Sequence, residues 1–203
     1  RQRQMCIRDS PLEALPFKER VAQLIEAAKT GEQLAENESS DGVLQVGPSS
    51  AGADPGPASY GRGGPATLTD CGVVLGQLVG FPEVCGPNHD LPLDAVAARA
   101  AVQALDPQQA VEEVASAALD VAAEQMAAAM LAHGERQGVD PAAAALVAFG
   151  GAGGAYACSV AEILGMSSVV VPALAGVFSA TGVGRAEHRS TKECSLGAAD
   201  WTE

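Results

Sequence analysis

The sequence predicts an α/β fold, in which a β-α-β unit late in the chain follows an alanine-rich helical segment. Three observations carry this. Leu146-Val-Ala-Phe-Gly-Gly-Ala-Gly-Gly-Ala155 is a short apolar run that ends in glycines and passes directly into an alanine-rich stretch of helical spacing. A second apolar run, Ser168 to Val171, follows after Gly165 closes that helix. Upstream, Val111, Val114, Ala115, Ala118, Ala122, Met126, Ala129 and Met130 recur at the intervals of one helix face. Two parallel strands need a crossover, and the helix between them supplies one with right-handed sense.

Along the chain, Arg1 to Ser10 differs in composition from everything after it and resembles a translated sequencing adapter. Residues 1–10 are expected to be a non-native artefact and stay outside the fold reasoning. Residues 11–40 read as a helix of uncertain origin: Phe17, Val21, Leu24, Ile25 and Ala28 share one face of Phe17 to Glu36, and charges occupy the other. Val43 to Val46 reads as a short strand. Half of the eighteen residues from Gly47 to Gly64 are Gly or Pro, too many for a helix or a central strand. Proline-fixed dihedrals and the anchors Tyr60 and Arg62 favour a fixed loop, and a long fixed loop tilts towards function.

Thr69-Asp70 is expected to cap a short helix from Cys71 to Leu78. Gly80 to Pro92 is turn-rich. One helix is expected from Leu93 to Leu105 and a longer one from Pro107 to about Gln137, ended by Gly138 with Pro141 beyond. The Ala/Met stripe of the long helix reads as core packing, with Met126 filling gaps that alanines leave. The β-α-β unit comprises a buried strand Ala145 to Phe149, a helix Ala155 to Leu164 and a buried strand Ser168 to Val171. Val177 to Gly182 begins a further helix or turn, and the chain becomes polar after Gly184.

Hydrophobic residues make up 47% of the 203 positions but aromatics only 3%, so alanine and glycine must fill much of the interior. A net charge of −13 argues against nucleic acid and against an anionic membrane surface. Cys6, Cys71, Cys85, Cys158 and Cys194 are dispersed, with no metal-like spacing, which fits reduced thiols. No apolar run is expected to approach the about 20 residues of a membrane span, and no secretion signal is visible. Cytoplasm is the expected compartment.

The glycine turn after Phe149 has a shape suited to phosphate or the sugar next to it. Free N–H groups and the helix dipole attract anions, and glycine lets a ligand approach the backbone. Its spacing does not match the Gly-Lys-Ser/Thr phosphate loop and fits the dinucleotide fingerprint only loosely. On its own, the turn suits a nucleotide and tight packing of helix on strand about equally.

Three segments in sequence order add a family resemblance. They are Val46 to Pro65 with Thr67-Leu-Thr-Asp70, then Leu146 to Gly153 with Tyr156-Ala-Cys158, then Gly176-Val-Phe-Ser-Ala-Thr-Gly182. Over roughly Asp41 to His188 they resemble the hydantoinase A/5-oxoprolinase family. The resemblance implies an actin-like ATPase fold of two ribonuclease-H-like lobes, of which 41–188 would be one part and 189–203 a truncated tail. It implies ATP and Mg²⁺, a small-molecule lactam or hydantoin substrate opened through carbonyl phosphorylation, and a hydantoinase B-type subunit or domain as partner. Gly150, Gly151, Ala152 and Gly153 would lie against the adenosine and ribose. An acetone-type carboxylase subunit and a non-catalytic scaffold of the same fold are the alternatives.

The sequence departs from the family pattern at several places. The Asp-x-Gly-Gly-Thr-type phosphate motif and a second phosphate loop are not in this sequence, so the chain alone is expected to be a catalytically inert fragment. Ser59 stands where many members have Cys, and Tyr156 where many have His, so no role is carried over to either. Asp54, Arg62 and Asp70 are the polar candidates of the substrate or phosphate loop. Arg62 can clamp a phosphate or carboxylate, or Asp54 and Arg62 can satisfy backbone groups of a rigid turn. Capping is the simpler role for Asp70. No catalytic residue and no metal ligand is assigned; His89, His133 and His188 lack partner spacing.

Overall fold

The computed structural model describes residues 5–8, 44–78, 81–187 and 189–191. The helix expected at Phe17 to Glu36, His188 and the tail from residue 192 lie outside the described residues. Strand β1 (Met5–Arg8) pairs antiparallel with β2 (Gln45–Ser50), so residues 1–10, set aside above, include a paired strand. Strand β2 starts two residues later than expected and runs on into the Gly/Pro segment. The reason is local: Gly47 adopts a φ of 80°, and the register shifts between Met5 and Ile7, opposite the stretch that holds Pro48. An irregular ladder in a two-stranded sheet tolerates a residue without an N–H.

Helix α1 (Leu68–Val74) is capped by Thr67, not by Thr69. Thr67 and Asp70 form a reciprocal capping box, the Ser/Thr-x-x-acid pattern that satisfies orphan donors at a helix start. Helix α2 (Ala95–Gln103) starts at Asp94, whose carboxylate accepts the N–H groups of Val96 and Ala97. Helix α3 (Val111–Gln137) begins four residues after the expected Pro107, because Asp106 to Ala110 form a turn held partly by Gln103. Gly138 ends it in the left-handed conformation, φ 66°, as the sequence predicts.

The 27 residues of α3 make a rod about 40 Å long that serves two cores in succession. Its first half, with Val114, Ala115, Ala118 and Ala122, packs on Leu44, Leu68, Cys71 and Val102. Its second half turns Ala123 and Ala127 onto Leu146, Ala157, Val160 and Leu164. The single expected stripe is therefore corrected beyond Ala122: Ala129 and Met130 are exposed. Burying a valine such as Val114 contributes on the order of 2 kcal/mol, while the alanines contribute mainly by close helix approach. Alone among the described residues, α3 also has the length and mean hydropathy (1.3) of a membrane span. This corrects the expectation that no run comes near one, although its buried face is spent on the two cores.

The β-α-β unit is present. Strand β3 (Leu146–Val147) lies parallel to β4 (Val169–Val170), with Leu146 opposite Val169, and α4 (Gly153–Ile163) crosses between them. Gly165 closes α4 at φ 68°. Both strands are shorter than expected, and among the described residues only one face is covered: Val147, Phe149, Val170 and Val171 are each about half exposed or more. A one-turn 3-10 segment, Ala175–Val177, leads into α5 (Phe178–Arg185), neither of which buries a residue.

Candidate functional site

The Gly/Pro loop is built around a buried carboxylate. Asp70 has no exposed surface, and its oxygens accept the N–H groups of Ala58 (3.2 Å), Ser59 (2.7 Å) and Thr67 (2.8 Å) and the Thr67 hydroxyl (2.8 Å). A carboxylate can accept this many bonds, and charge-assisted ones are the stronger kind. Arg62 closes the loop from the other side. Its guanidinium donates to the carbonyls of Ala53 (3.0 Å) and Val84 (3.2 Å) and lies 5.4 Å from the centre of the Tyr60 ring. Asp54 stays exposed at the tip, in a cis peptide bond with Pro55. Of the three polar candidates, Arg62 and Asp70 bond backbone groups of the loop and of the segments beside it, and Asp54 is exposed.

Packing leaves little freedom in this loop. A Cβ on Gly64 would collide with the carbonyl of Gly56, and one on Gly56, at φ 76°, would meet the Tyr60 ring at 2.5 Å. Ser59, fully buried, keeps its hydroxyl without a partner. The T-x-x-D spacing was the available signal for Thr67 as the cap. No comparable signal exists for Ser59.

The glycine turn belongs to the second core. Gly150 stands at φ 88°, and its N–H donates to the carbonyl of Ala175 (2.8 Å). Gly151 is exposed, Ala152 is the N-cap of α4 without a side-chain cap bond, and Gly153 is the first helical residue. A Cβ on Gly150 or Gly154 would meet nothing within 4 Å, and one on Gly153 only the Ala148 carbonyl carbon, at 4.0 Å. Among the described residues, the space beside Gly150 and Gly154 is therefore open. In the first turn of α4 the Ala155 N–H donates to the Ala152 carbonyl (3.1 Å), while Gly153 and Gly154 precede the helix's own ladder and the positive end of its dipole lies at the turn.

The charges around the turn set what it can hold. No Lys or Arg occurs from Gln137 to Gly184, so nothing in this stretch neutralises a triphosphate. Behind the turn, a cavity of about 290 Å³ opens between α3, β3 and α4, lined by Met126, Met130, Phe149, Tyr156 and Val160 among others. Its side-chain heteroatoms are the two methionine sulfurs and the Tyr156 hydroxyl. Burial, with a smaller contribution from Cys71, pushes the Tyr156 hydroxyl up to about 12. Burial, then the Asp70 carboxylate, likewise pushes the Cys71 thiol up to about 12. Both groups stay neutral near pH 7, so neither acts as an anionic nucleophile there. Met126 and Tyr156 pack against both cores and connect the two halves.

The glycine turn follows the carboxyl end of β3, which lies parallel to β4, the position at which open α/β sheets in general bind ligands. The hydantoinase/oxoprolinase profile matches residues 15–192, and the chain belongs to that family. A 5-oxoprolinase of Pestalotiopsis fici is 42% identical over 156 residues, which is 72% of this chain and 12% of that protein. The crystal structure of ATP-dependent caprolactamase from Pseudomonas jessenii is similar at TM-score 0.62 and 34% identity, over 71% of this chain and 21% of that one. Nucleotide-free acetone carboxylase is similar at TM-score 0.58 and 29% identity, over 70% of this chain and 20% of that one. The described fold is thus part of the α/β lobe that the sequence predicts, and the chain spans a small share of its relatives' length.

Proposed function

We propose that this chain is the nucleoside-holding part of an ATP-dependent enzyme that opens cyclic amides of the 5-oxoproline or hydantoin type. The observation that carries the reading is the glycine turn, Gly150 to Gly153, exposed at Gly150 and Gly151 and leading into α4 without a side-chain cap. Its exposed backbone fits the ribose and adenosine side of the nucleotide, and the stretch from Gln137 to Gly184, which has no Lys or Arg, leaves the phosphates to residues outside it. Membership of the family, together with 5-oxoprolinase and caprolactamase among the relatives, supports the reaction class.

ATP supplies the phosphoryl group that turns an inert amide oxygen into a good leaving group. Among the described residues no cluster of three His, Cys, Asp or Glu is placed to hold a metal ion, so Mg²⁺ enters this reading with the phosphates. The Gly/Pro loop is the substrate side, with Asp54 as its outward polar group and Arg62 and Asp70 holding it in shape. The partner is a hydantoinase B-type subunit or domain, and the compartment is the cytoplasm.

Similarity to acetone carboxylase favours one second reading, a subunit that carboxylates a ketone. The full-length protein with its partner subunit decides between them. ADP release stimulated by 5-oxoproline or caprolactam is expected. Release stimulated only by a ketone with bicarbonate would favour the carboxylase, and release with neither would leave a scaffold.

A further inference from the structure

Phe149 follows β3 and Phe178 opens α5 beyond β4, and the two meet beside the glycine turn, with ring centres 5.4 Å apart and planes tilted by 51°. Phe149 directly precedes Gly150, and Phe178 follows the segment whose Ala175 carbonyl accepts the Gly150 N–H at 2.8 Å. That hydrogen bond fixes the pair against the turn. In a chain with only four phenylalanines, two are placed here and left 49% and 38% exposed. The fold of the described residues does not use them fully: α5, which carries Phe178, buries nothing.

We propose that this pair is the wall on which the heteroaromatic base of the nucleotide stacks, an inference that rests on the nucleotide reading of the glycine turn. A ring face is a sequence-tolerant platform for any base, and it leaves the base's polar edges in water. The cavity behind Phe149 is the weaker place for a base. Its apolar lining offers those edges almost no hydrogen-bonding partner, and burying them unpaired is costly. The wall therefore gives affinity for the base, while the turn gives affinity for the sugar and the phosphate nearest it.

The test is calorimetric titration of the full-length protein with ATP and, separately, with tripolyphosphate, which has no base. Phe178→Leu, which keeps apolar volume on a helix that buries nothing, is expected to weaken ATP binding about tenfold. The same change is expected to leave tripolyphosphate binding unaltered. Phe149→Leu serves as the second variant and is expected to act in the same direction. Unchanged ATP affinity in both variants, or equal losses for ATP and tripolyphosphate, would overturn the wall. Wild-type protein that bound no ATP would instead overturn the nucleotide reading itself, so the two failures are distinguishable.

Discussion

The Asp70 carboxylate accepts the N–H of Ser59 at 2.7 Å and so ties the first turn of α1 to a loop residue eleven positions earlier. Asp70→Ala would leave the N–H groups of Ser59 and Thr67 without an acceptor in a site closed to water. The expected loss is about 3 kcal/mol, read from denaturant unfolding. Ser59→Ala is the contrasting variant. It deletes a buried hydroxyl that has no partner, so it should change stability by less than about 0.5 kcal/mol or raise it slightly.

Arg62 holds the carbonyls of Ala53 and Val84 with two nitrogens of one planar group. Lysine is a point charge and cannot bridge both. Arg62→Lys and Arg62→Ala should therefore destabilise to a similar degree, by about 1–2 kcal/mol, and both should speed proteolytic nicking near Asp54. Full rescue by lysine would show that charge alone, not the fork, matters.

The glycines of the two segments should respond in opposite ways. Gly64→Ala drives a methyl into the Gly56 carbonyl and should cost about 2 kcal/mol or more. Gly154→Ala meets open space on a helix and should be neutral or stabilising by up to about 1 kcal/mol. Thermal melts of the two variants check the pair. A destabilised Gly154→Ala would mean that packing does shape the turn.

Alkaline pH should unfold the protein through its buried acids. Burial raises Cys71 and Tyr156 to about 12 in the folded state, while the unfolded chain ionises them at their ordinary values of 9.0 and 10.0. Their contribution is fully present below about pH 9 and is lost as pH rises towards 12. Cys71→Ala should flatten the fall in melting temperature between pH 8 and pH 11. At pH 8, iodoacetamide should label exposed Cys158 but spare Cys71 and Cys85, as read from peptide masses.

Features fixed by local chemistry were legible in the sequence. Gly138 and Gly165 end their helices as expected because a left-handed cap is decided by one residue. The cap of α1 was misplaced by two positions, since both Thr67 and Thr69 precede Asp70 and only the bond geometry separates them. Features fixed by distant partners were not legible. The inward turn of Arg62 depends on Val84, and the anchoring of Asp70 depends on Ser59. The pairing of Phe149 with Phe178 depends on the whole crossover. The half-exposed strands followed the same rule: Val147 and Val170 read as core, but burial needs a second layer on their open face.

The glycine turn is the centre of the functional reading, and one titration tests it most directly. ATP binding is measured for the full-length protein and for Gly151→Val, with the unfolding midpoint recorded for both. Gly151 is exposed on the turn, so the midpoint should hold while affinity falls at least about tenfold, as a branched side chain blocks the approach to the backbone. Equal ATP affinity in the two proteins would contradict the claim and remove the turn from the site.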